Sequence, residues 1–195
     1  MNRFQELKDL LKSNRSYRRF DNSRPIPAEE LRELVELTRF CSSGRNLQPL
    51  RYRIVTDREE CAALYPALKW AGYFSDWDGP DPAQRPVAYL VQCIDTALAN
   101  DCLCDDGLQL EAITLGAATK GIHGCIIKAF NSAKVTEALE IAERYKPRYV
   151  LALGYPAEKV EIVDTDGSTE ADIKYYRDQN DTHIVPKRPL SEIII

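Results

Sequence analysis

The chain has 195 residues, 44% of them hydrophobic and 29% charged, the balance of a globular fold with enough length for one domain and a sizeable core. A net charge of −4, with pI near 5.4, argues against a nucleic-acid surface, where a basic excess is expected. No apolar run reaches bilayer length, and the start, MNRFQELKDLLKS, is too mixed in charge for a signal peptide.

Residues 3–12 put Phe4, Leu7, Leu10 and Leu11 on one helical face, and Ser13-Asn14 ends that helix. RPIPAEELRELVELTRF predicts a second helix, with Pro27 at its first position, Glu29 and Glu30 at the acid-favouring end, and Leu31, Leu34, Val35 and Leu37 as its stripe. Between them lies SNRSYRRF (13–20), three arginines within five residues of an acidic chain. CSSGRNLQP (41–49) reads as a loop, YRIVT (52–56) as a strand and 58–69 as helix. DWDGPDPAQRP (76–86) reads as an exposed loop. VAYLVQCI (87–94) is a near-continuous apolar run, the pattern of a central buried strand. A buried helix follows over 105–121 with Gly121 as its stop, then strand or loop over 122–130, a short helix over 133–143, and a strand RYVLALGYP over 148–156. Residues 157–195 sustain no periodic pattern, yet end in the β-prone apolar tip LSEIII. The order predicts a single α+β domain over 1–195 with a mixed sheet, and an extended arm over 157–195.

The chemistry available is narrow. No GxGxxG follows a strand, and there is no Walker loop, GxSxG elbow or HExxH. His123 and His183 are the only histidines, and Cys102/Cys104 form CxC without further ligands, so neither a metal centre nor a Ser-His or Cys-His machine is expected. The six cysteines, with no secretory signal, read as reduced thiols in a cytoplasm. What remains is a local basic cluster, suited to one small anion, beside several polar loops. That is the sequence of a protein whose chemistry is carried by a bound cofactor.

RSYRRF, then a helix, then SSGRNLQP, followed in order by KWAGY, RPVAYLVQCID, ATKGIHGCII, LALGYP and HIVPKRPLSEIII, resembles the FMN-dependent nitroreductase family over essentially the whole chain. The resemblance implies a nitroreductase-like α+β fold: a mixed, mainly antiparallel central sheet flanked by helices, with the C-terminal arm exchanged in a homodimer. It implies FMN as the cofactor and NADH or NADPH as the donor. The acceptor is a small molecule such as a nitroaromatic, quinone, enone or free flavin, and neither a nucleic acid nor a membrane is a partner. By the same resemblance Arg15, Ser16 and Arg18 hold the phosphate and ribityl chain, with Tyr17 contributing its backbone. Arginine forks and a hydroxyl suit phosphate oxygens. Either Lys187 or Arg188 supplies a second cationic contact. The loop with Ser43, Asn46 and Gln48 meets the flavin from the other subunit, its amides matching the pyrimidine edge. His123, Gly124 and Cys125 cross the ring near N5, Gly124 permitting close approach. His123 either lines the acceptor pocket or is a surface-loop histidine, Cys125 is a small buried hydrophobe, and Trp77 suits a lid. No side chain is expected to act as a covalent catalyst. The alternatives are an FMN-binding module without turnover, for storage or redox sensing, and a specialised relative such as a reductive dehalogenase or a flavin-cleaving enzyme.

Overall fold

A computed structural model describes residues 2–195. Its centre is a four-stranded antiparallel sheet in the order β1-β2-β4-β3, with β1 Leu50–Val55, β2 Ala88–Asp95, β3 His123–Ile127 and β4 Tyr145–Gly154. The apolar runs read from the sequence become its two inner strands. Every residue of β2 is buried, because helices cover both faces and the period-2 alternation of side chains serves two cores at once. Tyr89, Val91, Cys93, Val150 and Ala152 point one way, against α3 (Arg58–Leu64) and α5 (Ser132–Ala138), where Cys61, Leu64 and Val135 meet them. Leu90, Leu151 and Leu153 point the other way, against Leu31 and Leu34 of α2 (Ala28–Glu36) and Leu110, Ile113 and Ala117 of α4 (Asp105–Thr119).

The remaining helix, α1 (Arg3–Ser13), is capped by Asn2, whose side chain accepts the Phe4 N–H at 3.0 Å. Its apolar stripe forms as read but buries nothing: Phe4, Leu7 and Leu11 stay exposed. Some boundaries differ from the sequence reading. Pro27 is the residue before α2 rather than its first, since its extended backbone sets the entry angle without joining the helix. Helix 58–69 stops at Leu64, and Pro66 carries the chain on as a 3-10 turn over Tyr65–Ala67.

The larger correction is the tail. Residues 157–195 are not without structure: β5 (Val160–Asp164) pairs parallel with β7 (His183–Lys187), which pairs antiparallel with the short β6 (Tyr176–Arg177). The mixed sheet expected at the centre is therefore this small second sheet, and the central one is wholly antiparallel. Its strands are engaged within their own chain, and the stretch left exposed is the end, with Leu190, Ile193, Ile194 and Ile195 in the open.

Candidate functional site

The basic segment after α1 crosses one end of the central sheet. Ser16 bridges in parallel to Gly124 at the edge strand β3, and the Tyr17 N–H donates to the Gly124 carbonyl at 3.0 Å. Further along, Phe20 bridges to Pro156, past the end of β4. Phe20 is fully buried on Gly154, where an added Cβ would come within 2.7 Å of its ring. Gly124 is required for packing of the same kind: a Cβ there would meet the Ala152 carbonyl oxygen at 2.3 Å. The glycine is demanded by the packing of β4 behind it.

This crossing brings the first group of sequence candidates together. Arg15, Ser16, Tyr17 and Arg18 lie against His123, Gly124 and Cys125, with the Tyr17 and His123 rings 4.7 Å apart. Lys187, at the end of β7, is held below the ordinary lysine range by partial burial and by the charge of Arg15. The two cations lie within electrostatic reach of one another, and among the described residues neither is in an ion pair. Of the two residues left open for the second cationic contact, Arg188 donates to the Gly167 carbonyl, whereas Lys187 feels the charge of Arg15. Arg18 is nearly buried, touches no carboxylate with its guanidinium, and leaves its Nε without a partner. Its Nη1 reaches the Ser16 carbonyl at 3.3 Å and His183 Nε2 at 3.5 Å, and Tyr175 lies under the guanidinium at 4.9 Å. In a chain with more acids than bases, Arg15, Arg18 and Lys187 are thus cations without carboxylate partners among the described residues, a feature suited to an anion.

Neighbouring cations are neutralised. Arg19 pairs with Asp181, and Arg177 with Glu158 at 2.6 Å. Glu158 is a residue the sequence reading missed. Its side chain is buried, and one carboxylate oxygen accepts the backbone N–H groups of both Arg18 and Arg19. It fixes the path of the basic segment while leaving the Arg15 and Arg18 side chains unpaired. His183 was also missed. It is 1% exposed, and burial, then the charge of Arg18, push its pKa down to about 4. It stacks with Phe74 and Tyr175 behind Arg18. Trp77 belongs to the same wall: it packs on Phe74 and the core and carries Arg19 and Arg177 over its ring, so it is a bracing residue rather than a free lid. His123 opens β3 half-buried, its imidazole lowered by burial and its Nδ1 unpartnered, so it is not a surface-loop histidine. Cys125 is buried with its thiol pushed up, an inert packing residue.

The second group stands elsewhere. Ser43 donates to Asp105 at the start of α4 at 2.6 Å and accepts the Gln48 N–H at 2.9 Å, so its hydroxyl holds the loop itself. Arg45, Asn46 and Gln48 all have positive φ, an uncommon backbone for such side chains, and the strained turn leaves Asn46 and Gln48 exposed. Among the described residues no hydrogen bond or strand pairing joins this loop to the 15–18 segment, β3 or β7. The sheet explains why. Gly124 shares a rung with Leu153 and Ala88, next to the last residue of β1, whereas the loop enters β1 at its other end. Three strand spacings across and about six residues along put the two groups about 20–25 Å apart.

Comparison with known proteins agrees with this architecture. The Nitroreductase family model matches residues 11–92, which span the basic segment, the loop, β1 and most of β2. Over that stretch, less than half of its length, the chain is similar to the nitroreductase family. A Stenotrophomonas maltophilia protein, named provisionally as an NADH dehydrogenase/NAD(P)H nitroreductase, is 27% identical over 68% of this chain and 76% of its own. A nitroreductase family protein from Streptococcus pneumoniae superposes with a TM-score of 0.69 at 20% identity, covering 97% of this chain and 98% of that one. An FMN-dependent nitroreductase from Clostridium difficile superposes with a TM-score of 0.65 at 18% identity, covering 87% and 98%. The chain shares the fold of these two structures. Among its described residues no helix is long and apolar enough to cross a membrane, no three metal-binding side chains stand together, and all six cysteines are free.

Proposed function

We propose that the protein is an FMN-dependent oxidoreductase that takes hydride from NADH or NADPH and passes reducing equivalents to a small acceptor such as a nitroaromatic or a quinone. The observation that carries this reading is the anion site of Arg15, Arg18 and Lys187, three cations without carboxylate partners at the end of a nitroreductase-type sheet. The residues present fit the cofactor. A phosphate brings the missing counter-charge, and charge-assisted forks from Arg15 and Arg18 are among the stronger hydrogen bonds available to it. Ser16, exposed beside them, adds a hydroxyl donor. When bound, FMN supplies the hydride chemistry. The protein's part is to hold the phosphate at Arg15, Arg18 and Lys187, to present neutral His123 and Tyr17 beside β3, and to keep water from Arg18 with the Phe74, Tyr175 and His183 wall.

The second half of the proposal is a homodimer. Asn46 and Gln48 are too far from the anion site of their own chain to serve the same mononucleotide, so the partner's copy of the loop completes each site. The exposed faces that such a partner would cover are Phe4, Leu7 and Leu11 of α1, together with Leu47 and Leu103 beside the loop. The reading is tested by reconstituting the purified protein with flavin and identifying what it retains. One FMN per chain, bleached by NADH or NADPH and restored by an added quinone, is the expected result. Stoichiometric FAD, or no retained flavin, refutes it. Retained FMN that neither nucleotide bleaches leaves a flavin-binding module without turnover.

A further inference from the structure

A cavity of about 960 Å³ lies at the other end of the same crossing segment, beyond Phe20, walled by the Asp21–Pro25 turn, the first turns of α3 and the 82–87 stretch. Its size is that of small-molecule sites. It is separate from the anion site: its lining includes none of residues 15–18, 123–125 or 187, and the fully buried Phe20 stands between them.

Two arginines line this cavity, and neither is in an ion pair among the described residues. Arg85 stacks its guanidinium on the Tyr65 ring at 3.9 Å and leaves a buried Nε without a partner. Arg58 stands exposed at the start of α3. Three of the acids around the cavity are committed elsewhere. Asp57 accepts the N–H groups of Glu59 and Glu60, Glu60 pairs with Arg53, and Asp21 accepts both the hydroxyl and the N–H of Ser23. Tyr65 has spent its hydroxyl proton on the Pro80 carbonyl, at 3.1 Å. Cys61, Val87 and Tyr89 supply an apolar floor. Two guanidinium groups on the lining of a cavity with such a floor favour an anion with an apolar body. Asp21 on the lining, and Asp78 and Asp81 near Tyr65, disfavour a second negative charge and so favour a carboxylate over a phosphate.

We propose that this cavity is a second ligand site, which takes a small aromatic carboxylate, with Arg58 and Arg85 on the carboxylate and Tyr65, Val87 and Tyr89 against the ring. The site does not depend on the flavin reading, and its failure is distinguishable from a failure of that reading because flavin content is scored separately. The experiment is calorimetric titration of the flavin-loaded protein with 2-naphthoate, with the uncharged 2-naphthamide, and with inorganic phosphate. Saturable binding of 2-naphthoate, at least tenfold tighter than either other probe, is expected. Arg58→Gln and Arg85→Gln should each weaken it several-fold while flavin content stays unchanged. Arg58 is exposed, so its substitution keeps the test valid even where the Arg85 variant folds poorly. Equal affinity for the acid and the amide, tighter binding of phosphate, no saturation, or binding that survives Arg58→Gln and competes with the electron acceptor would each overturn the proposal.

Discussion

Replacing Glu158 should damage stability and flavin binding together, although no part of its side chain is expected to touch the flavin. Its side chain is 2% exposed and serves three donors: the backbone N–H groups of Arg18 and Arg19, the latter at 3.0 Å, and Arg177 Nη2 at 2.6 Å. Glu158→Ala leaves two buried amides and most of a guanidinium without an acceptor. Removing one member of a buried pair costs about 3–5 kcal/mol. Arg177 retains Asp181, through its carbonyl at 3.1 Å and its carboxylate at 3.3 Å, which argues for the lower end, about 3 kcal/mol. Glu158→Gln keeps one acceptor oxygen but turns an amide donor toward Arg177 or toward the two N–H groups, so about 1.5–3 kcal/mol is expected. Because the freed segment carries Arg18, flavin affinity should fall at least tenfold in both variants. Urea midpoints give the stability change and quenching of flavin fluorescence gives the affinity. Glu161→Gln, which removes a half-exposed partner of Lys159, is the control and should leave the urea midpoint nearly unchanged. If Glu158→Ala loses less than 1 kcal/mol and binds flavin as the parent does, Glu158 does not set the path of the basic segment.

Three further outcomes follow from the same geometry. Arg18→Ala should weaken FMN binding by about 1.5–3 kcal/mol, the value of a charge-assisted bond, whereas Arg19→Ala removes only a pair with a largely exposed Asp181 and should cost less than tenfold in affinity; the reverse order in flavin retention would show that the register is wrong. His183 is buried neutral with its pKa lowered from 6.5 to about 4, so the stability it contributes is complete above pH 6.5 and is lost as pH falls through that window toward 4, on the order of 3 kcal/mol; denaturation of the parent and of His183→Asn at pH 7 and pH 4.5 should show a smaller acid loss in the variant, and equal losses would refute this. Deleting residues 190–195, beyond β7, should weaken self-association in sedimentation without unfolding the monomer, since Leu190 and Ile193–Ile195 are largely exposed in their own chain; an undiminished dimer would exclude the tip from the interface.

The elements legible in the sequence were those with long, one-sided signals. β2 and β4 announced themselves as unbroken apolar runs, α4 as a run of small and apolar residues closed by Gly121, and the basic segment as a connection between helices. The small sheet of the tail left no such trace. Its strands are five, two and five residues long, too short for alternation to register, and β5 and β7 pair in parallel across a long excursion. Pro186 inside β7 also reads against a strand; it is tolerated because β6 pairs only as far as Ile184 and asks nothing of the proline on that side. In the site, the arginine pattern was visible, but Glu158 was not. It acts on backbone N–H groups from a position about 140 residues away, and only the fold brings the stretch after LALGYP under RSYRRF. His183 stood in the quoted stretch HIVPKRPL, and the signal that could have drawn attention to it was a lone histidine opening an apolar run.

The placement of the two groups of candidates gives the proposed dimer its logic. Lys187 feels the charge of Arg15 within one chain, so in this reading the phosphate contacts of Arg15, Arg18 and Lys187 need no residue from a partner. The Asn46 and Gln48 amides, by contrast, are held at the far corner of the sheet by Ser43 and Asp105, in a turn whose positive φ values cost free energy. A two-fold operator that brings each strained loop to the anion site of the other chain satisfies both copies at once, which a heterologous contact would not. Flavin binding and dimerisation then form one linked equilibrium, in which FMN tightens the dimer and dilution releases FMN. The linkage also assigns the parts: the phosphate is held by one chain alone, so dilution should loosen the ring end first, and a monomeric variant should retain weak affinity for phosphate while losing the flavin.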